Sequence, residues 1–334
     1  MSEFRQDVVT GRWVIIAPER AARPNDFPVE RRRMAGGFCP FCEGHEDKTP
    51  VEVMALRQPG SAPNRPGWQV RVVPNRFPAL QPEAGLLTSG AGLCRQMNGF
   101  GVHEVIIDTP KHVLSVCEIP PEEVQAALAA YRDRLLVLGQ DRRIAYGMLF
   151  KNVGVSAGAT IEHSHTQLIG LPVTPVAVQV ELDNARRFKR QRGLCLFCAM
   201  IEEELAAGAR IAAATEHFVA ITPYAARFPF ETWILPRRHE ARFERRSPES
   251  DADLARILCS ILGRMDTALG RPAYNYLVHT APFRKKVDAH YHWHLEIIPS
   301  VTRAAGFEWG TGIYINPVSP ESAAAFLIQQ RGAV

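Results

Sequence analysis

The order of sequence features in the first half of this chain recurs in the second half. Each half begins with two cysteines separated by two residues, at 39–42 and at 195–198. A β-rich run, a second such run that leads to a histidine, a helix that opens with Pro and Glu, and a further strand then follow. Each half closes on a histidine-rich run, at 163–172 and at 290–299. Chance accounts for one such match but not for the whole series in the same order, so the pattern predicts an internal duplication.

The duplicated pattern predicts two α+β units. Apolar residues of the first helix recur at spacings of three and four residues between Val124 and Tyr131, which places them on one face. The flanking runs are short and rich in Val, Ile and Phe, as strands are. A chain of 334 residues also suits two domains of ordinary size. We expect a first unit over residues 1–187 and a second over 188–334, with the polar segment 188–193 as the linker.

The composition is that of a globular protein and argues against several classes of partner. Hydrophobic residues make up 46% of the chain and charged residues 22%, with a net charge of +4. The arginines are spread along the chain, so we expect no nucleic-acid partner. Apolar stretches stay shorter than the roughly 18 residues of a membrane span, so we expect no membrane partner. The first residues lack the basic start and apolar core of a signal peptide, which predicts a cytoplasmic location.

The histidine-rich run of the first half has the residue types of a nucleophilic site. On a strand, His163, His165 and Gln167 alternate and share one face. Imidazole titrates near neutral pH, so an uncharged ring nitrogen of His165 is able to attack phosphorus. Gln167 is expected to donate a hydrogen bond to a phosphate oxygen without changing the charge. The alternative is that these histidines are core or metal-binding residues with no catalytic part.

A loop of small residues leads into this run. It spans residues 152–160 and contains two glycines, which allow backbone N–H groups to approach phosphate oxygens. We expect Gly154 to serve in this way and Thr160 to add a hydroxyl donor. The loop and the glutamine together therefore predict a phosphate site beside His165.

The second half has the duplicated run without the same surroundings. Without a gap, 163–172 aligns with 290–299, which pairs His165 with His292. In the second half, the loop and the glutamine are replaced by residues 283–286 and by His294. We therefore assign catalysis to His165 and expect His292 to be a metal ligand.

The first cysteine pair predicts a zinc site. Cys39 and Cys42 have the spacing of zinc ligands, and a closed tetrahedral site needs two more. His112, at the end of a predicted strand, and His163 are the candidates. Such a metal is expected to be structural and to fix the strand that carries the nucleophile. Redox chemistry at the cysteine pair is the alternative, but no thioredoxin-like βαβ pattern surrounds it.

The second half offers two competing ligand sets, between which the sequence does not decide. One set follows from the duplication and consists of Cys195, Cys198, His239 and either His290 or His292. The other set has harder ligands that suit iron or zinc and consists of Glu181, His279, His292 and His294.

These motifs resemble the galactose-1-phosphate uridylyltransferase branch of the histidine triad superfamily, over nearly the whole chain. The opening residues 10–24 look like the N-terminal signature of that family. The resemblance implies two tandem histidine-triad-like units, each an antiparallel sheet with a helix, usually in a homodimer. It implies the following matches to family positions: Arg20 and Arg23 at the nucleotide; Asn75 and Phe77 in the nucleoside pocket; Asn152, Thr160 and Gln167 around the transferred phosphate; Cys39, Cys42, His112 and His163 on zinc; and His165 as the nucleophile that becomes uridylylated.

The chain departs from the pattern of the galactose enzymes at two places. Ser164 stands where the family signature has proline between the histidines, and Thr311 and Gly312 stand where a Tyr-Glu pair holds the sugar hydroxyls. Together with the second cysteine pair, these features are more similar to the plant ADP-glucose phosphorylase branch. In that branch the second zinc set corresponds to Cys195, Cys198, His239 and His292.

The resulting hypothesis is a hexose-1-phosphate nucleotidylyltransferase that acts on a nucleotide sugar and a sugar phosphate. The first reading is UDP-glucose:galactose-1-phosphate uridylyltransferase, which works by ping-pong transfer through a nucleotidyl group on His165. An ADP-glucose phosphorylase that uses the same site is the alternative. Two further readings are a hydrolase of dinucleotides or adenylates, in which a third histidine typically replaces Gln167, and a non-enzymatic, zinc-stabilised nucleotide-binding protein.

Overall fold

The computed structural model describes residues 1–22 and 36–330, which form fifteen strands and six α-helices. The strands are Glu3–Gln6 (β1), Trp13–Ile16 (β2), Met54–Arg57 (β3), Trp68–Pro74 (β4), Thr88–Ala91 (β5), Cys94–Met97 (β6), Val102–Ile107 (β7), Tyr146–Val153 (β8), His165–Leu171 (β9), Ile211–Ala214 (β10), Phe218–Ile221 (β11), Thr232–Pro236 (β12), Tyr274–His279 (β13), His294–Pro299 (β14) and Tyr314–Asn316 (β15). The helices are Pro121–Leu138 (α1), Val176–Arg192 (α2), Leu196–Ala207 (α3), Asp251–Leu269 (α4), Gly306–Thr311 (α5) and Pro320–Gln329 (α6).

Ten strands form one continuous antiparallel sheet that contains both halves of the chain. The strand order is β10-β11-β12-β14-β13-β8-β9-β7-β4-β3. From the centre outwards, the first half contributes β8, β9, β7, β4 and β3, and the second half contributes β13, β14, β12, β11 and β10 in the equivalent order. The α+β prediction with antiparallel sheets is therefore confirmed. The two units do not have separate sheets, however, because β8 and β13 pair at the centre.

The two long helices cover one face of this sheet. α1 connects β7 to β8, α4 connects β12 to β13, and the two helices pack against each other. Pro121 occupies the first turn of α1, where its missing N–H leaves no backbone partner unsatisfied. The helix face predicted from apolar spacing is buried in the main core, with these residues: Val124, Ala127, Leu128 and Tyr131.

The opposite face of the sheet carries the predicted site. Side chains alternate along a strand, so Ile106 packs in the main core while Val105 and Ile107 point to the other side. His165 pairs with Ile107 and Gln167 pairs with Val105 in the adjacent β9, which places both on this second face. In the second half the same face is covered by α2 and α3, which form a separate core there.

Helix α2 spans the predicted division between residues 187 and 188. The segment 188–193 that the sequence suggested as a linker forms the carboxyl end of this helix and the glycine that follows it. Lys, Arg and Gln are good helix formers, and the basic residues at 189–192 lie near the carboxyl end, where the helix dipole favours positive charge. Gly193 ends the helix at φ 78°, a conformation that glycine adopts without strain.

A small three-stranded sheet joins the two ends of the described chain. β1 pairs with β2, and β15 lies parallel to β2. Within the described residues, the helices are all too short or too polar to cross a bilayer.

Candidate active site and metal centres

His165 is the first residue of β9 and is held in one orientation. Its Nδ1 lies 2.7 Å from the carbonyl oxygen of His163, so Nδ1–H donates and the lone pair remains on Nε2. The ring of Phe41 packs edge-on at 5.2 Å between centroids. Burial and, secondly, the positive charge of Lys151 lower the pKa of His165 to about 4. The ring is therefore neutral near pH 7, as attack on phosphorus requires.

One cavity brings five of the predicted site residues together. It has a volume of about 380 Å³, which falls in the range of small-molecule sites. Its lining includes Asn75, Phe77, Thr160, His165 and Gln167. Phe77 is 83% exposed, so its ring is free to receive a planar group such as a base.

The loop before β9 has the backbone that a phosphate site needs. Gly154 and Gly158 lie at φ 86° and 88°, where side chains other than glycine are strained. Asn152, the first residue of the predicted loop, lies in β8, and its Oδ1 accepts a hydrogen bond of 2.8 Å from Nδ2 of Asn275. Asn275 also donates to the carbonyl of Ala157 at 2.8 Å. The second half of the chain therefore positions an asparagine of the first-half site, which the sequence did not reveal.

A buried charged network supports the backbone of His165 from the helix-covered side of the sheet. The Lys151 ammonium group donates to Asp108, to Oγ of Ser164 at 2.9 Å and to the carbonyl of His165 at 2.9 Å. Asp108 also accepts a hydrogen bond of 2.5 Å from the hydroxyl of Tyr131. Lys151 and Asp108 are both fully buried. Ser164 thus forms side-chain hydrogen bonds with this network. The proline that the family signature has at this position cannot form them.

The four predicted ligands of the first metal site lie together. Cys39, Cys42, His112 and His163 each place one ligand atom within 4.8 Å of the others. Nδ1 of His163 lies 3.6 Å from both sulfurs, and Nδ1 of His112 lies 3.2 Å from that of Cys42. Nε2 of His163 donates to the carbonyl of Thr109 at 2.8 Å, which leaves Nδ1 available to a metal. A closed set of two thiols and two imidazoles fits tetrahedral zinc.

The second cysteine pair has an equivalent arrangement with His239 and His292. These four residues again place ligand atoms within 4.8 Å of one another. Nε2 of His292 donates to the carbonyl of Pro236 at 2.8 Å, which is the same second contact that His163 makes. His290 is not in the cluster, although its carbonyl accepts from Cys195 at 3.4 Å. This ligand geometry favours His292 over His290.

A third buried cluster contains three of the harder ligands from the competing set. Glu181, His279 and His294 are joined by Glu296, whereas His292 belongs to the cysteine cluster. Glu181 accepts from His279 at 2.8 Å and from the hydroxyl of Tyr291 at 2.7 Å. Burial opposes a charge on His279, but Glu181 and Glu296 outweigh it and raise the pKa of His279 to about 9.

The structural counterpart of His165 is His294, which corrects the gapless alignment of the two runs. Nδ1 of His294 faces the carbonyl of His292, just as Nδ1 of His165 faces that of His163. In the register of the sheet, Glu296 pairs with Leu277 as Gln167 pairs with Phe150. The alignment was wrong by two residues. A shift of two keeps every side chain on its face, so alternating histidines fit both registers equally well.

The second copy of the site lacks the properties of a phosphate site. His294 is fully buried and stacks on Trp233 at 5.1 Å between ring centroids. The position of Gln167 is taken by Glu296, which forms an ion pair with Arg227. A carboxylate at this position repels phosphate, so the electrostatics support catalysis in the first copy alone.

In the part of the chain that the structure describes, Asn152 and Gly154 belong to the end of β8 and the turn after it and are not among the residues that line the cavity. Arg20 is exposed in a short 3₁₀ helix and, within the described chain, is not among the residues that line the cavity. Arg23 lies outside the described residues. Thr311 and Gly312 close the exposed helix α5.

Similarity to known proteins agrees with this geometry. The model of the N-terminal domain of galactose-1-phosphate uridyl transferase matches residues 1–175, and that of the C-terminal domain matches residues 181–308. ADP-glucose phosphorylase of Arabidopsis thaliana is 37% identical and is aligned over 96% of this chain and 91% of its own. Galactose-1-phosphate uridylyltransferase of Thermotoga maritima is 28% identical over 97% of both chains.

Solved structures agree in fold over the full length. A crystal structure of the Arabidopsis ADP-glucose phosphorylase with bound ADP-glucose has a TM-score of 0.84 at 35% identity and covers 98% of this chain and 99% of that chain. A uridylyltransferase structure has a TM-score of 0.76 at 26% identity and covers 98% and 97%. With its duplicated sheet, its cavity beside His165 and these full-length matches, the chain belongs to the galactose-1-phosphate uridyl transferase family of nucleotidyltransferases.

Proposed function

We propose that the chain transfers a nucleotidyl group from a nucleotide sugar to a phosphate through a covalent intermediate on His165. The observation that carries the proposal is the fixed Nδ1–H bond to His163, which leaves the Nε2 lone pair in a cavity with Gln167 and Asn75. Nε2 attacks the α-phosphorus, and an N–P bond forms as the bond from this phosphorus to the bridging oxygen breaks. The hexose 1-phosphate leaves, and a phosphate oxygen of the acceptor then displaces the histidine.

The surrounding groups stabilise charge without joining the covalent chemistry. As phosphorus becomes five-coordinate, its equatorial oxygens need donors that are already in place. Gln167 supplies an amide, Thr160 supplies a hydroxyl, and the glycine-containing loop at 154–158 supplies backbone N–H groups. Asn152 adds its amide, with its oxygen already engaged by Asn275.

ADP-glucose, with inorganic phosphate as acceptor, is the first candidate pair of substrates. The Arabidopsis ADP-glucose phosphorylase is similar over nearly its whole length, and its structure with ADP-glucose has the higher TM-score of the two comparisons above. Ser164 and the Thr311–Gly312 stretch also depart from the galactose enzymes. On this reading the adenylyl group passes from His165 to phosphate and gives ADP.

UDP-glucose with galactose 1-phosphate is the second candidate pair. It is supported by the family model and by the full-length similarity to the Thermotoga enzyme. The covalent step is the same, and only the base pocket and the acceptor differ.

We also propose that zinc occupies the two cysteine–histidine clusters. The first set is Cys39, Cys42, His112 and His163, and the second is Cys195, Cys198, His239 and His292. Zinc bound by four protein ligands has no open position for substrate, so its contribution is structural. At the first cluster it fixes His163, whose carbonyl orients the nucleophile.

We infer that the chain forms a homodimer. Phe4 and Trp13 lie 6.3 Å apart on the small sheet and are 60% and 46% exposed, an aromatic pair of the kind that protein interfaces contain. Light scattering at micromolar protein concentration tests this inference, which a monomeric mass contradicts.

An isotope-exchange experiment tests the proposed function. The protein is incubated with ADP-glucose and labelled glucose 1-phosphate, without inorganic phosphate, and in parallel with the UDP-sugar. A ping-pong enzyme moves the label into its nucleotide sugar in the absence of acceptor, because the first half-reaction is reversible. We expect His165→Asn to abolish this exchange. His217→Asn, which changes a histidine in the second half of the chain, is the control and is expected to retain it. Absence of exchange with both nucleotide sugars contradicts the proposal.

A further inference from the structure

His103 lies behind two of the residues that line the cavity, Asn75 and Gln167. It lies on β7, diagonally across from Gln167, because His103 pairs with Ile169 and Val105 pairs with Gln167. Its Nε2 is 2.9 Å from Oε1 of Gln167 and 3.1 Å from Nδ2 of Asn75. This half-buried ring therefore contacts two residues that line the cavity.

The backbone fixes which nitrogen of His103 carries the proton. The N–H of Ala79 donates to Nδ1 at 3.2 Å, and a backbone N–H acts only as a donor. Nδ1 is therefore the acceptor, and the neutral ring has its proton on Nε2. The backbone N–H of Phe77 likewise occupies Oδ1 of Asn75 at 2.9 Å, so the Asn75 side turned to His103 is its NH₂ group. The proton on Nε2 thus has one acceptor among these contacts, Oε1 of Gln167.

We propose that His103 is a positioning residue that sets the orientation of the Gln167 amide. When His103 holds Oε1, the NH₂ group of Gln167 faces the cavity and donates to the transferred phosphate. Without His103, the two amide orientations compete, and one of them presents an oxygen to the phosphate oxygens. This proposal rests on the proposed nucleotidyl transfer through His165. It assigns to His103 a contribution to the chemical step and not to substrate affinity.

The test measures single-turnover labelling of the protein by ADP-glucose, or by UDP-glucose if that is the active donor. His103→Phe removes the donor and keeps a planar ring. We expect its labelling rate to fall about 10- to 100-fold, which is less than the roughly 100- to 1000-fold loss when a preorganised donor is removed outright, because Gln167 is still present. The dissociation constant of the nucleotide sugar is expected to change less than about threefold. His103→Gln, which keeps an N–H donor, is expected to recover part of the rate.

The decisive comparison uses the Gln167→Ala background. If His103 acts through Gln167, His103→Phe slows the Gln167→Ala protein less than about twofold, because the group it orients is gone. An equal slowing in both backgrounds overturns the proposal, as does an unchanged rate in His103→Phe. His217→Phe is the matched control, since His217 is a partly exposed histidine bonded to Asp253 in the other half. Wild-type protein that takes up no label overturns the transfer mechanism itself and this proposal with it.

Discussion

At the residue scale, the proposed nucleophile, His165, is held in place by groups that do not take part in the proposed reaction. The carbonyl of His163 accepts from the ring of His165 and fixes its orientation. Lys151 donates to the carbonyl of His165 from the helix-covered face of the sheet. Asp108 balances the charge of Lys151 in a region without solvent. Such a buried pair restricts the backbone at 163–165 to one conformation, so Nε2 stays aimed at the cavity.

Removal of one member of this pair is expected to be costly. Lys151→Met leaves Asp108 buried without its counter-charge, and we expect a loss of about 3–5 kcal/mol in the free energy of unfolding. Lys151→Met combined with Asp108→Asn is expected to be more stable than the single variant, because no uncompensated charge remains. Urea denaturation measures both variants.

The matched control is Lys111→Met, which removes an ion pair with Glu123 whose lysine is 56% exposed. It is expected to cost less than about 1 kcal/mol. A Lys151→Met variant that is as stable as this control contradicts the account of the buried pair.

The sequence predicted residues that lie near His165 along the chain or match a family position, but it did not predict the residues that hold them in place. Gln167, Thr160 and Asn75 reach the same cavity as His165, as expected. Asn275 and His103 were missed because each reaches its partner across the sheet from a distant part of the sequence. Such contacts depend on strand order and register, which alternation alone does not specify.

At the element scale, the pairing of β8 with β13 makes the second half part of the first-half site. Asn152 pairs directly with Asn275 across this junction. Helix α2 then continues from the first half into the core of the second. The duplication was readable in the sequence, but the central pairing was not, because two units with separate sheets satisfy the same pattern.

Asn275 lies in the second half of the chain, but loss of its side chain is expected to slow the reaction at His165 in the first half. Asn275→Ala frees the amide of Asn152 to rotate, and one neutral hydrogen bond is worth about 0.5–1.5 kcal/mol, so we expect kcat to fall about 2- to 12-fold. Asn152→Ala is expected to mask this effect in the double variant. Steady-state kinetics of the two single variants and the double variant measure this coupling. If the two losses in kcat simply multiply in the double variant, the coupling between Asn275 and Asn152 is contradicted.

The cysteine clusters are expected to bind two zinc ions per chain, since each brings two thiols and two imidazoles within reach of one ion. Cys39→Ser is expected to release one ion and to lower Tm, because the binding free energy of such a site contributes to folding. Metal analysis and calorimetry measure both effects. Cys94→Ser, at an exposed free cysteine, is the control that keeps both ions. Unchanged metal content in Cys39→Ser contradicts the assignment.

At the scale of the whole molecule, the fold contains two copies of the histidine-bearing strand, and only the first copy has the properties that the proposed transfer needs. The counterparts of Asn152, His165 and Gln167 in the second copy are His279, His294 and Glu296, all buried. On this account the second copy takes no part in the reaction. It contributes Asn275 to the first-half site and five strands to the shared sheet. The division at residue 187, the cytoplasmic location and the lack of a nucleic-acid partner stay predictions from composition and pattern.

The most direct test of the central claim is to isolate the covalent intermediate. Protein is mixed with ADP-glucose labelled at the α-phosphorus, and separately with labelled UDP-glucose, without any acceptor, and is then digested and sequenced. The account predicts an acid-labile label on the peptide that contains His165, its loss in His165→Asn, and its release when the acceptor is added. Label that persists in His165→Asn, or the absence of label from both nucleotide sugars, contradicts it.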